Sequence, residues 1–144
     1  MRYSAIEDGY MVYVEKNERI MDTLTEFCLG MDVQNAQLSG IGAVKGIELG
    51  AYDVTNKEYI RQHFEDTWEL VSYQGNVTLK DGRPFIHAHV TISDHSMRTR
   101  GGHLFEATVS AVGEFFLRRV DSSIHRKLDE DIGLPTWCTT DHKE

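Results

Sequence analysis

Two histidines separated by one residue stand in the part of the chain whose residue types could support metal chemistry. They are His87 and His89, on either side of Ala88. On a β-strand, alternate side chains point to the same face, so the two residues would lie roughly 6–7 Å apart at their Cα atoms. That spacing lets both imidazoles converge on one ion at about 2.0–2.1 Å each. The pair therefore predicts two ligands of a metal site.

A third histidine, His103, would complete the set if Gly101-Gly102 forms a turn that folds it over the pair. Three protein ligands with an open fourth position are typical of a reactive zinc site, whereas structural zinc usually takes four. We therefore expect His87, His89 and His103 to hold zinc or another divalent transition-metal ion. The alternative is that the histidines fill a polar sheet face or a subunit contact without binding metal.

Four charged residues are further candidates for chemistry. Glu106 and Glu114 share a face of a predicted strand and could act as metal ligands, or as the base that assists a metal-activated water. The alternative for both is plain solvation or ion pairing. Arg98 and Arg100, beside His95, form a basic loop that could bind a small anion or could simply be solvated.

The dipeptide Asp81-Gly82 predicts the tight turn that places the first two histidines, because a type I′ turn needs positive φ at both central positions. Centring the turn there pairs residues whose numbers sum to 163 and gives two uniform faces. The apolar face pairs Val77/Ile86, Gly75/Ala88, Tyr73/Val90 and Val71/Ile92. The polar face pairs Asn76/His87, Gln74/His89 and Ser72/Thr91. Asn76 and Gln74 could therefore orient the histidines.

Two helices are predicted among a larger number of strands. Asn17 can cap a helix of about four turns, whose apolar stripe recurs at helical spacing. That stripe is Ile20, Leu24, Phe27, Cys28 and Met31. Ser122 or Ser123 could cap a short helix over residues 124–131. Strands are predicted at residues 9–15, 33–42 and 45–52, besides the hairpin. The expected class is therefore α+β, with a mainly antiparallel sheet, one long amphipathic helix and a short C-terminal helix.

A long strand predicted over residues 105–117 suggests self-association. Its odd-numbered positions are mostly apolar, and Val112 and Phe116 make the far half apolar on the other face too. A strand that is apolar on both faces needs cover on both, and one amphipathic helix shields only one side of a sheet. A second subunit is the simplest cover for the other side.

Composition bounds the remaining possibilities. With 144 residues, 40% of them apolar and 26% charged, the chain is expected to form a single domain over residues 1–144. The net charge of −8 argues against broad non-specific binding to nucleic acid, which depends on lysine and arginine. No apolar run of 18 residues and no signal-peptide pattern occurs, so we expect a soluble, cytoplasmic protein with no membrane partner.

Several motifs in a fixed order resemble the plants-and-prokaryotes-conserved (PPC) domain, which accompanies AT-hook motifs in plant nuclear proteins. They are Ser39-Gly40-Ile41-Gly42-Ala43-Val44, Glu48-Leu49-Gly50-Ala51-Tyr52-Asp53, Lys57-Glu58-Tyr59, Glu69-Leu70-Val71-Ser72, Gly75-Asn76, Asp81-Gly82-Arg83-Pro84-Phe85-Ile86-His87-Ala88-His89, Gly101-Gly102-His103-Leu104 and Gly133-Leu134. The resemblance implies an α+β fold around an antiparallel sheet, assembled as a homotrimer. It also implies a bound metal, as in some prokaryotic members, which would map to His87, His89 and His103.

The resemblance does not carry over the DNA binding of the plant proteins. The AT-hook core Arg-Gly-Arg-Pro is missing, and Asp81-Gly82-Arg83-Pro84 is predicted to be a hairpin turn rather than a minor-groove arm. Three functions stay open at this point: a metal-binding homotrimer with a regulatory or small-ligand role, a zinc-dependent hydrolase-type enzyme, and a DNA-associated scaffold. The acidic charge weighs against the third, and the sequence does not choose between the first two.

Overall fold

A computed structural model describes residues 1–139 of the chain. In these residues one helix, α1 (Ile20–Gly30), lies between the second and third of nine strands. The strands are β1 (Arg2–Ile6), β2 (Gly9–Val14), β3 (Ala36–Asp53), β4 (Glu58–Phe64), β5 (Trp68–Lys80), β6 (Arg83–Ser93), β7 (Thr99–Arg119), β8 (His125–Asp129) and β9 (Leu134–Cys138).

The nine strands form one sheet in which four long strands close on themselves. The order along the sheet is β1-β2-β7-β3-β5-β8-β9, β4 pairs with β3, and β6 pairs with both β5 and β7. Strands β3, β5, β6 and β7 therefore make a ring of pairings. Every described pairing is antiparallel except that between β5 and β8. This closure brings β7 beside β6, the strand that carries the first two histidines.

The core lies between α1 and the inward faces of the ring. Four residues of the predicted stripe, Ile20, Leu24, Phe27 and Cys28, are buried, as apolar residues at helical spacing should be. Burial raises the pKa of the Cys28 thiol to about 12, so this thiol stays protonated at neutral pH. Within residues 1–139, no helix combines the length and the apolar character that crossing a bilayer requires.

The hairpin forms in the register that the turn chemistry predicts. Asp81 and Gly82 have φ of 52° and 74°, and the pairs from Lys80/Arg83 to Ser72/Thr91 all sum to 163. Beyond Ser72 a bulge shifts the register, so Leu70 rather than Val71 lies opposite Ile92. The predicted Val71/Ile92 pair is therefore wrong.

The predicted long amphipathic helix is also wrong. The helix α1 has 11 residues, and strands account for 66% of residues 1–139 against 8% for helix, so this part of the chain is mostly β rather than α+β. Asn17 does not cap it, since Arg19 holds the capping position and Oδ1 of Asn17 accepts a hydrogen bond from Lys45. The backbone N–H of Asn17 donates to the carbonyl of Val109, and the helix begins three residues later, at Ile20.

The short C-terminal helix predicted over residues 124–131 is replaced by a strand. Strand β8 pairs in parallel with the end of β5 and antiparallel with β9. Ser122 accepts a hydrogen bond from the N–H of Ile124, which makes a local turn rather than a helix cap. Ile124 and Leu128 recur at helical spacing, but the edge of β5 offers the segment backbone partners, and Leu128 stays exposed in the resulting strand. Tertiary pairing therefore overrides the local capping signal.

Candidate metal centre

The three predicted ligands meet where β6 runs beside β7. His89 on β6 lies directly opposite His103 on β7 in the antiparallel ladder. His87 shares the face of His89 because it is two residues away on the same strand. One ring nitrogen from each of the three residues lies within 4.8 Å of the other two. The structure thus brings together three side chains that could hold a metal ion.

The electrostatics of the cluster favour the neutral form of two of its imidazoles. Burial, followed by the charges of His87, His89 and Arg61, lowers the pKa of His103 to about 4. Burial, followed by the charges of Arg126 and His89, also lowers the pKa of His87. A neutral imidazole has a lone pair on one nitrogen, and that lone pair is what a metal needs.

One nitrogen of His103 fits a metal ligand better than it fits a packed side chain. The Nδ1 atom of His103 is buried and has no hydrogen-bond partner. Buried polar atoms nearly always have a partner, so this unpaired nitrogen indicates that a bound group, such as a metal ion, is its partner. Tyr59 and Phe105 pack against the ring at centroid distances of 4.9 and 4.8 Å and hold it beside the other two histidines.

Gly101 and Gly102 place His103 in a different way from the expected turn. Both lie within β7, opposite Thr91 and Val90, and the turn is formed instead by residues 94–98. A Cβ on Gly102 would lie 2.8 Å from the carbonyl oxygen of Gly50. The glycines are therefore needed because three strands approach closely here, and His103 reaches the site through strand pairing.

The sequence matches the family model of the Plants and Prokaryotes Conserved (PCC) domain over residues 1–121. The chain belongs to this family, called PPC below. The predicted resemblance is thereby confirmed.

Solved structures of similar proteins share the fold over nearly the whole chain. A plant- and prokaryote-conserved protein from Pyrococcus horikoshii is 33% identical, with a TM-score of 0.87 and coverage of 97% of this chain and 96% of that one. A metal-containing protein from Archaeoglobus fulgidus is 32% identical, with a TM-score of 0.84 and coverage of 96% and 100%. A candidate DNA-binding protein from Bacteroides thetaiotaomicron is 25% identical, with a TM-score of 0.92 and coverage of 95% and 96%. A comparison with curated proteins finds no match.

The two glutamates that we considered as bases lie away from the histidines of this PPC chain. The carboxylate of Glu106 accepts hydrogen bonds from the backbone N–H groups of Met21 and Asp22 in the first turn of α1. Burial raises its pKa. Glu114 is exposed and lies opposite Tyr13 of β2, eleven positions along β7 from His103, on the order of 30 Å away along the strand.

The polar residues expected around the site have other partners. Asn76 lies opposite His87 as predicted, but its Oδ1 accepts a hydrogen bond of 2.8 Å from Arg126. Arg98 donates to Asp94 within the 94–98 turn, so its charge is already compensated there. Arg100 donates to the carbonyl of Thr99. The basic loop is therefore a less suitable anion site than the sequence suggests.

Sequence reasoning missed Arg126, whose charge contributes to the lowered pKa of His87. The sequence predicts a helix over residues 124–131 that does not form, so no local pattern connects Arg126 with the hairpin. Its contact with Asn76 depends on the parallel pairing of β8 with β5, which puts Arg126 opposite Lys80. A single arginine in a charged segment carries no local signal that would predict this burial.

Proposed function

We propose that this PPC protein binds one divalent transition-metal ion per chain through His87, His89 and His103, with zinc as the first candidate. The observation that carries the proposal is that one ring nitrogen from each of the three histidines lies within 4.8 Å of the others, and the buried Nδ1 of His103, which has no hydrogen-bond partner, supports it. Imidazole ligands suit zinc, copper, nickel and iron rather than magnesium or calcium. The metal-containing relative from Archaeoglobus fulgidus supports the same interpretation.

The three-histidine set has a chemical consequence for the role of the ion. Three protein ligands leave a coordination position open for water or for a ligand, and a bound transition metal supplies Lewis acidity there. This favours a regulatory or small-ligand-binding role over a purely structural one. His103 and His87, both neutral at neutral pH, would bind the ion without first releasing a proton.

The proposal includes assembly as a homotrimer. An exposed surface, called the apolar face below, lies on adjacent strands and consists of Met11, Ile41, Val112 and Phe116. These side chains are between 40% and 55% exposed, and Met11 lies directly opposite Phe116 in the β2–β7 ladder. Adjacent exposed apolar side chains of this kind are typical of a protein interface. The number three comes from the family resemblance, and a further copy of the chain is the occupant we propose.

Metal analysis of the untagged protein tests the central proposal. We expect about one ion per chain in the wild type, and none in a His87→Ala/His89→Ala double variant. His95→Ala is the matched control, because His95 is exposed in the 94–98 turn and should leave the metal content unchanged. Untagged protein that contains no metal and takes up no zinc at saturating concentration would contradict the proposal.

A zinc-dependent hydrolase is the alternative that the open coordination position favours. Neither glutamate considered as its base is at the site, since Glu106 caps α1 and Glu114 lies far along β7. A screen of small esters, phosphates and amides, with and without chelator, tests this alternative. Turnover that is abolished by chelator and by the His87→Ala/His89→Ala variant would establish it.

Association with DNA is a second alternative, because the relative from Bacteroides thetaiotaomicron is described as a candidate DNA-binding protein. The net charge of −8 predicts weak non-specific affinity for this chain. We therefore expect no mobility shift of duplex DNA by the purified protein at physiological salt. A shift that weakens steeply as salt is raised would favour the DNA alternative instead.

A further inference from the structure

A cavity of about 340 Å³ adjoins the histidine cluster. His87 and His103 line one side of it, and Phe85 and Phe105 supply apolar walls. Arg126 and Lys80 line it as well. Pockets for small organic ligands begin at about 300 Å³ and combine mostly apolar walls with a few polar groups. The size and the lining of this cavity match that description.

The Arg126 side chain is held rigidly by three uncharged partners. Its Nε donates to Oγ1 of Thr78, its Nη1 to the carbonyl of Pro135 and its Nη2 to Oδ1 of Asn76, each at 2.8 Å. The guanidinium also lies 5.3 Å from the ring centre of Phe85. A guanidinium has five N–H donors, so two are left after these three bonds. The group is thus pre-organised, with donors to spare.

The charge of Arg126 is buried without an acidic partner among residues 1–139. The residue is only 8% exposed, and the salt bridges of the described chain do not include it. Lys80 is likewise without a described ion pair, and no residue that lines the cavity is acidic. Removing a charge from water costs free energy that neutral hydrogen bonds offset only in part. A purely structural clamp between β8 and β5 would not need this charge.

We propose that this cavity binds a small organic carboxylate, with the carboxylate on Arg126 and the apolar body against Phe85 and Phe105. Planar, bidentate recognition of a carboxylate is the interaction for which arginine is best suited. Lys80 adds a second positive charge at the same end. The inference rests on the proposed function in one respect only, namely that a metal ion is bound by the histidines at one side of the cavity. A carboxylate ligand that carries a second donor atom could then also coordinate this ion.

Benzoate and its uncharged analogue benzamide are suitable probes. Their binding can be monitored in ¹H–¹⁵N spectra of the wild-type protein. We expect saturable shifts with benzoate that include the Arg126 Nε–H and Trp137, whose ring lies 5.9 Å from the guanidinium. Benzamide should produce no saturable shift. This comparison needs no variant, so it tests the proposal even if substitutions of Arg126 prevent folding. Equal binding of the two probes, or no binding of benzoate, would overturn the proposal.

Variants and metal state separate this inference from the metal proposal. Arg126→Gln should weaken benzoate binding about tenfold or more in both chelated and zinc-loaded protein, whereas Arg83→Gln, an exposed arginine outside the cavity, should not. Benzoate binding to a protein that takes up no zinc would refute the metal proposal and support the carboxylate site. Zinc uptake together with benzoate binding that is insensitive to Arg126→Gln, but lost in His87→Ala/His89→Ala, would overturn the assignment to Arg126.

Discussion

The Glu106 carboxylate of β7 accepts a hydrogen bond of 2.9 Å from the backbone N–H of Met21, in the first turn of α1. A second helix N–H, that of Asp22, donates to the same carboxylate at 3.2 Å. The residue at the capping position, Arg19, makes no capping bond with its own side chain, and its Nε lies 3.4 Å from Glu106. A residue 85 positions away in sequence therefore supplies the cap and compensates the positive end of the helix dipole.

Glu106→Ala should lower the free energy of unfolding by about 1–2 kcal/mol, the cost of losing a helix cap. Metal content should not change, because the carboxylate contacts the helix and not the histidines. Glu65→Ala, an exposed glutamate between β4 and β5 and outside the apolar face, is the control and should change stability by less than about 0.5 kcal/mol. Denaturant titration measures both effects. Loss of metal from the Glu106 variant would show that this residue is part of the metal site after all.

Helix α1 and the C-terminal segment show which features a sequence can predict. The apolar stripe from Ile20 to Cys28 is a local pattern, and it is buried as expected. The cap is not local, since the signal at Asn17 is overridden by backbone pairing with Val109. The helix predicted over residues 124–131 is wrong for the same reason, because Asn76, the partner of Arg126, lies on β5, 50 residues earlier.

Zinc should stabilise the folded protein by mass action. At a free zinc concentration of 100 times Kd, binding to the native state alone adds roughly 2.7 kcal/mol to the free energy of unfolding. Thermal unfolding with added zinc and with chelator measures the difference. The increase should be absent in His87→Ala/His89→Ala and present in His95→Ala. Equal stabilisation of all three proteins would place the ion outside the histidine cluster.

The metal-free protein should lose stability in mild acid through His103. Its pKa in the folded state, about 4, is lower than its ordinary value of 6.5, so the unfolded chain binds a proton that the folded chain does not. Stability from this group is full above about pH 6.5 and falls as the pH drops to about 4, by at most about 1.4 kcal/mol per pH unit. His87 acts in the same direction.

Chelated His103→Asn should therefore show a shallower decline in unfolding free energy over this pH window than the chelated wild type. His95→Asn serves as the control and should keep the wild-type slope. Denaturant titrations at several pH values across the window give the comparison. Identical slopes for wild type and His103→Asn would show that the folded-state pKa of His103 is not depressed.

Replacing Phe116 with Asp should dissociate the proposed trimer. The charge would fall within the apolar face, where the exposed 41% of Phe116 would otherwise be buried and where an unpaired carboxylate is costly to remove from water. Ile60→Asp is the matched control, since Ile60 is 65% exposed on β4, outside the apolar face. Light scattering should give three times the chain mass of 16.5 kDa for the wild type and the control.

A wild-type mass of 16.5 kDa at micromolar concentration would contradict assembly altogether. A mass of twice that value would leave the argument for a buried apolar face intact and remove the trimer. If Phe116→Asp fails to fold, the circular dichroism of the variant will show it, and Val112→Asp then provides a second probe of the same face.

The histidine cluster was predictable in part only. The relation of His87 to His89 follows from the period of a strand, and their register follows from the Asp81-Gly82 turn. The position of His103 depends on which strand β7 lies beside, and a glycine pair expected to form a turn turned out to be a point of close strand contact. Close contacts between strands distant in sequence leave no periodic signal along the chain.

Strands β6 and β7 pair over five positions only, from Ser93/Thr99 to His89/His103, which makes this the shortest strand pairing in the ring. An ion held by His89 and His103 would link the two strands at one end of this pairing. Transient local opening should then begin here when the site is stripped, because few backbone bonds hold the two strands together. Amide hydrogen exchange at Thr91 and Gly101 would slow on metal loading, while exchange in the long β5–β6 ladder would stay nearly constant.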